Sequence, residues 1–104
     1  MSADWDCRTA LPIVVCGDQA LIVVTGELDL LRHDTLRTAL AGAADADLIL
    51  DLTNVSFVDA STISLLARAA EKRQAAGWQT AIVNCQPTVS RVFRLTHAQH
   101  LLSA

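Results

Sequence analysis

The side chains with chemical potential concentrate in the stretch FVDASTISLL, Phe57 to Leu66, where Asp59, Ala60, Ser61 and Thr62 stand between a polar segment and an apolar periodic run. A carboxylate beside two hydroxyls allows three readings: a nucleophile, a phosphorylation switch, or a helix cap. Ser61 lies in no GxSxG turn, and nothing in the sequence marks His33, His97 or His100 as a base beside it, so hydrolase chemistry lacks support. His97 and His100 are three apart, a helical ligand spacing, but no third ligand is nominated and no metal site is expected. GxxxxGK[ST] and GxGxxG loops are absent, so the two familiar phosphate cradles are missing and no cofactor is expected. Asp51, in LILDL, stands where the acceptor of a phospho-receiver domain would. That chemistry needs an acidic pair after the first strand and a lysine in a late loop. The single lysine, Lys72, falls instead in a helical stretch, and the chain opens with a hairpin.

Capping accounts for Asp59 without any chemistry. Its carboxylate can accept from the N–H of Ser61 or Thr62 and lies at the positive end of a helix dipole. The small Ala60 and Ser61 leave that helix start uncrowded, and its free N–H groups suit a phosphate or a partner's carboxylate.

The elements that must position this stretch follow from periodicity. LPIVVCGD and ALIVVTGEL are short β-branched runs joined by Gly17-Asp18, which predicts a hairpin, with Pro12 at the start of its first strand. Leu31, Thr35, Leu36, Ala39 and Leu40 recur at helical spacing up to Gly42. LILDL reads as a strand covered on both faces, and TNVSF as a loop. Ile63, Leu66, Ala67 and Ala70 form the apolar stripe of the next helix, which Gly77 stops. WQTAIVNC alternates as a strand, and Pro87 opens a last helix with Val89, Val92, Phe93 and Leu95. The tail HLLSA supplies at most a stub of strand. The order β-β-α-β-α-β-α predicts an α/β fold: a mixed, mostly parallel sheet edged by an N-terminal hairpin, with helices packed on it.

Composition bounds the function. A chain of 104 residues makes one domain and buries about 60–70% of its unfolded surface. It is 52% hydrophobic and only 4% aromatic, which favours an aliphatic core over an aromatic ligand cage. Ten acids and three bases precede or include Asp59, and one acid and five bases follow it, giving −7 and +4 within a net charge of −3. Such asymmetry suits a protein partner, whereas nucleic acid demands a denser basic stripe with interleaved aromatics. Cys7, Cys16 and Cys85 make no CxxC and no metal spacing, and an odd count argues against a disulfide framework. They read as reduced, buried thiols of a cytoplasmic protein. The start MSADWDCRTALPIVVCG fails as a secretory or lipoprotein signal, and no run reaches the ~18 apolar residues of a membrane span.

Three regions, VVTGELDLLRHDTLRTAL, LILDLTNVSFVDAST and WQTAIVNCQPTVSRVFRLT, resemble in order and spacing the signature regions of STAS domains, in particular bacterial anti-sigma factor antagonists. The likeness spans about residues 10–102, with residues 1–9 as an N-terminal tail and 10–104 as the STAS domain. It implies a noncatalytic module that binds an anti-sigma factor and so frees a sigma factor for RNA polymerase. In such members the anti-sigma factor is often a serine kinase, which inactivates the antagonist at the hydroxyl residue following the aspartate of a DSSG-like motif. The aspartate corresponds to Asp59 and the second serine to Ser61, but the acceptor position is Ala60 and the glycine is Thr62. Alanine accepts no phosphate, and Ser61 lies about 100° further around the helix. The family's small GLG is here Thr62-Ile63-Ser64, which is bulkier. Many members also continue into a further helix, so part of the familiar surface is expected to be missing.

The resemblance thus places the docking surface at Glu27 and Asp29 of GELD and at Asp59, Ala60, Ser61 and Thr62, with Ser61 the candidate if any hydroxyl is phosphorylated. Neither nucleic acid nor membrane insertion is expected, and the oligomeric state stays open. Two other readings remain: a STAS subunit of a stress-signalling or lipid-transport assembly, and a small nucleotide-binding domain.

Overall fold

Two residues, Gly17 and Asp18, turn the chain between β1 (Ile13–Cys16) and β2 (Gln19–Leu28), and the antiparallel register pairs Cys16 with Gln19. Gly17 takes a positive φ of 62°, which a two-residue hairpin needs and glycine supplies without steric cost. The computed structural model describes residues 11–103, so the expected tail, with Cys7, lies outside the described residues. Beyond the hairpin come a 3-10 turn (Leu30–Arg32), α1 (His33–Gly42), β3 (Asp47–Val58), α2 (Ala60–Ala75), β4 (Thr80–Val83), α3 (Pro87–Leu95) and a closing 3-10 turn (Gln99–Leu101). The sheet order is β1-β2-β3-β4; β2, β3 and β4 run parallel, and the stub of strand is a single parallel bridge from Leu102 to Ile82. This is the mixed, mostly parallel α/β fold expected.

Two expectations fail at β3. The loop TNVSF is strand, because β3 takes two more residues than β2 over the same span. Val23 pairs with Asp51, Thr25 with Asn54, and Glu27 with Phe57, so the register slips once on each side of Gly26. Each bulge turns the inward face by one position: Leu48, Leu50 and Leu52 are buried at every second residue, and Val55 and Val58 at every third. That broken alternation imitates a loop in the sequence. LILDL, moreover, is not covered on both faces. Helix α2 touches both α1 and α3, and all three lie over the face that buries Leu48, Leu50 and Leu52. On the opposite face Ile49 stays 40% exposed, in a row with Val14, Leu21 and Ala81.

Leu31 departs from expectation as well. It sits in the 3-10 turn before α1 and is 90% exposed, and the core side of α1 is made by His33, Leu36 and Ala39.

Helix ends are built locally. At the end of α2 the Trp78 N–H reaches Arg73 O (2.9 Å) and the Gly77 N–H reaches Gln74 O (3.0 Å), a Schellman motif with Gly77 in the left-handed conformation. Arg73, buried, then ties that end to its neighbours. Its guanidinium donates to Ala43 O (2.8 Å), to Ala46 O and to Thr80 Oγ1 (3.1 Å), satisfying carbonyls of the α1–β3 connection. The same cap closes α3, where the Ala98 N–H meets Phe93 O at 2.8 Å, but its left-handed residue is His97 (φ 60°), not glycine. His97→Gly therefore removes the strain of a β-carbon at positive φ and raises the unfolding free energy by up to about 1 kcal/mol in urea titrations. A loss of stability would mean that the exposed imidazole makes a contact that matters.

Candidate functional site

The carboxyl ends of β2 and β3 lie side by side, and a helical segment leaves from each. The Asp59 N–H donates to Leu28 O (3.1 Å), joining the two strand ends before α1 and α2 begin. Asp59 is the N-cap of α2: its Oδ1 accepts from the Thr62 N–H at 2.8 Å and from the Ser61 hydroxyl at 2.9 Å. Burial raises the Asp59 pKa, but hydrogen bonds from Thr62 and Ser61 outweigh it, with help from charge on His33, and hold the carboxyl below its usual value.

The histidine that sequence reasoning left unassigned stands beside this cap. His33, buried at the start of α1, points Nε2 at Thr62 Oγ1 (3.1 Å) and at Ser61 Oγ (3.2 Å). Thr62 Oγ1 also lies 3.2 Å from Leu28 O. Carbonyl and carboxylate oxygens only accept, so the Thr62 proton goes to Leu28 and the Ser61 proton to Asp59, and Nε2 is the hydrogen donor to both hydroxyl oxygens. A base must take a proton from its nucleophile, and here the proton is directed the other way. The cluster holds Ser61 without activating it. No sequence signal marks His33, because the contact joins two helices and spans 28 residues of chain.

The expected surface residues divide by exposure. Glu27, Ala60 and Ser61 are exposed, Asp29 and Asp59 are half-buried, and Thr62 is fully buried. Thr62 thus supports the site from beneath. Asp29 caps the 3-10 turn by accepting from the Leu31 N–H at 3.1 Å. Arg32 folds back over Gly26, its Nη1 donating to Thr25 O and Glu27 O (3.0 Å to the latter), so the GELD turn is fixed from inside. An alanine at Gly26 would bring its β-carbon to 3.4 Å from that nitrogen, at a φ of 90°.

Sequence reasoning missed the apolar part of this end. Leu30 and Leu31 are 68% and 90% exposed, and Phe57, paired in register with Glu27, is 48% exposed. Three large apolar side chains are thus exposed at the end of the sheet that carries Glu27, Asp29 and Asp59, a composition suited to a protein partner.

Residues tested for other chemistry are dispersed. Asp51 accepts from Thr53 N–H (2.9 Å) and Thr53 Oγ1 (2.6 Å), bonds that hold its carboxyl below the usual range and brace the first bulge. His97 ends α3 and His100 lies in the following 3-10 turn; no cluster of three metal-ligating side chains occurs among the described residues. Cys85 is half-buried, and burial pushes its thiol pKa up. Cys16 is exposed, contrary to expectation, since it ends an edge strand. It pairs with the first residue of β2, while the site lies at the last, about 30 Å along the strand. No helix among the described residues is long and apolar enough to cross a membrane.

Residues 12–103 match the family model described as the STAS domain. The chain belongs to the STAS domain family. Among solved structures, the anti-sigma factor antagonist SpoIIAA in its unphosphorylated form superposes with a TM-score of 0.78 at 22% identity, over 90% of this chain and 86% of that one. The phosphorylated form of SpoIIAA, a Bacillus cell fate determinant, gives 0.70 at 21% identity, over 90% and 89%. An anti-sigma factor antagonist from Mycobacterium paratuberculosis gives 0.74 at 20% identity, over 89% and 81%. At these identities the likeness establishes a shared fold.

The cap yields a prediction with a definite sign. The Asp59 carboxyl is held below its unfolded value, so its contribution to stability is present above about pH 4 and disappears as the pH falls through the folded-state value. Asp59→Ala lowers the unfolding free energy by about 1 kcal/mol at neutral pH, and that deficit shrinks in acid. An equal deficit at neutral and acidic pH contradicts the assigned hydrogen bonds.

Proposed function

We propose that this protein is a noncatalytic, cytoplasmic antagonist of an anti-sigma factor, docking through the surface formed by Glu27, Asp29, Asp59, Ala60 and Ser61 with Leu30, Leu31 and Phe57. Membership of the STAS family and the fold shared with structures named as anti-sigma factor antagonists support this reading. In it the exposed leucines and Phe57 supply the buried centre of the interface and the acids select a basic partner surface. Thr62 and His33 act from behind, holding the two helix starts in register.

The observation that carries the reading is the state of the α2 start. Ala60 is its first residue, exposed and without a hydroxyl, while the Ser61 hydroxyl is engaged by Asp59 and His33. A kinase docked there would meet a methyl group at the expected acceptor position. Phosphorylating Ser61 would add charge beside the Asp59 carboxylate and break its bond to that group, an unfavourable exchange. The antagonist is therefore permanently competent to bind.

Incubated with its cognate anti-sigma kinase and ATP, the protein should show no phosphoryl-sized gain in intact mass, and its affinity for the kinase should be the same before and after. Ala60→Ser should become a substrate and lose affinity by at least about tenfold once modified. Phosphate on the wild-type protein at Ser61 or Thr62, with loss of binding, would overturn the reading.

A further inference from the structure

At the other end of α2 lies a surface that the proposed docking site does not use. Facing sides of α1 and α2 enclose an open groove of about 710 Å³. Its floor is apolar and mostly small: Leu40, Ala41 and Ala44 from α1 and the turn after it, Leu65 and Ala69 from α2. The charged lining residues are Arg37, Arg68, Lys72 and Arg73, and no acid is among the lining. Arg73 is spent on the carbonyls of the α1–β3 connection. Arg37 is shared with Asp34 at 3.2 Å, whereas Arg68 and Lys72 have no ion pair among the described residues. A basic groove on a chain of net charge −3 is local and one-signed. Cations in the last turn complement the α2 dipole, which accounts for Lys72 and Arg73. Arg68 lies two turns from that end and Arg37 is on the other helix, so the dipole does not explain them.

The shape and the charge select an occupant. Small residues let a third helix approach two others to the usual interaxial distance of about 8–10 Å, and Leu40 and Leu65 offer apolar contact to one face of it. Backbone N–H groups beneath the groove are used within α1 and α2, and no aromatic lines it, so a nucleotide finds neither a phosphate cradle nor a stacking surface. The groove is partly open to solvent, unlike the enclosed cavity that an acyl chain requires.

We infer that the α1–α2 groove is a second docking surface, which takes an amphipathic helix of a partner protein with acidic residues flanking its apolar face. The apolar face packs on Leu40, Leu65 and the alanines, and the acids meet Arg37, Arg68 and Lys72. From Asp59 to Lys72 is about 20 Å along α2, so the two surfaces can be occupied together. The inference does not depend on the function proposed for the first.

The test uses the full-length protein labelled with nitrogen-15 and a designed helical peptide of about five turns with leucine and alanine on one face and glutamate on its flanks. Amide shifts should move along α1 and in the second half of α2, and the binding should weaken as salt is added. Arg68→Glu combined with Lys72→Glu should cost at least about tenfold in affinity, with unchanged circular dichroism. Arg37→Glu, on the opposite wall, should give a loss of the same sign. A counterpart peptide with lysine in place of glutamate should not bind. The inference is overturned if the acidic peptide produces no shifts at about millimolar concentration, if the shifts fall at Glu27 and Ser61 instead, or if the lysine peptide binds equally well. Phosphatidylglycerol vesicles, titrated in parallel, should leave the groove unperturbed. Groove resonances that respond to the vesicles and not to the peptide would assign the surface to a membrane and overturn the inference too.

Discussion

The parallel pairing of β2 with β3, interrupted by two single-residue bulges, is the constraint on which the rest of the molecule depends. In an uninterrupted register the alternation of Leu48, Leu50 and Leu52 would turn Asn54 and Ser56 inward and Val55 out of the core, since a one-residue slip exchanges the two faces of a strand. With the bulges, Val55 and Val58 stay buried and the chain reaches Asp59 beside Leu28. From there both helices are fixed. The Asp59 carboxylate starts α2, Thr62 reaches across to Leu28, and His33 at the start of α1 donates to both hydroxyls of the α2 start. Burying His33 and Thr62 in this way is tolerable because each shared proton has an acceptor.

A serine, a histidine and an aspartate lie within hydrogen-bond reach here, but not in the hydrogen-bond order of a catalytic triad. In a catalytic triad the carboxylate orients the histidine and the histidine draws the proton from the serine. Here the carboxylate takes the serine proton itself, and the histidine is a donor. The geometry favours a rigid, preorganised surface over a reactive one. It also separates two ends of α2 with different character: acids and exposed apolar side chains at the strand ends near its start, and a basic groove along its second half.

How much of this was legible in the sequence depends on how local each cause is. The hairpin, the Asp59 cap and the Gly77 stop were readable because a turn or a cap is dictated by a few adjacent residues. The order of strands and helices followed from periodicity, and the topology from the rule for parallel crossovers. The second half of β3 was not readable, because its apolar spacing of three arises from pairing with β2 and matches no isolated strand. Nor was the side on which the helices pack: LILDL is apolar at consecutive positions, yet only Leu48, Leu50 and Leu52 are covered. At the candidate site, Asp59 to Thr62 stood out by their own residue types, and Glu27 and Asp29 of the GELD turn only through the family resemblance. His33 was missed because its partners are remote in sequence, and Leu30 and Leu31 because leucines at a helix start are ordinarily read as core.

The central claim is that the carboxyl ends of β2 and β3 form the surface that meets the anti-sigma factor, in an unmodified state. Hydrogen exchange of the protein alone and bound to its cognate anti-sigma factor, with ATP present throughout, measures this most directly. The account predicts slowed exchange confined to residues 26–32, 57–63 and any segment held by the second surface, with ATP making no difference. Complex formation without protection at 26–32 and 57–63, or protection that ATP abolishes, would contradict it.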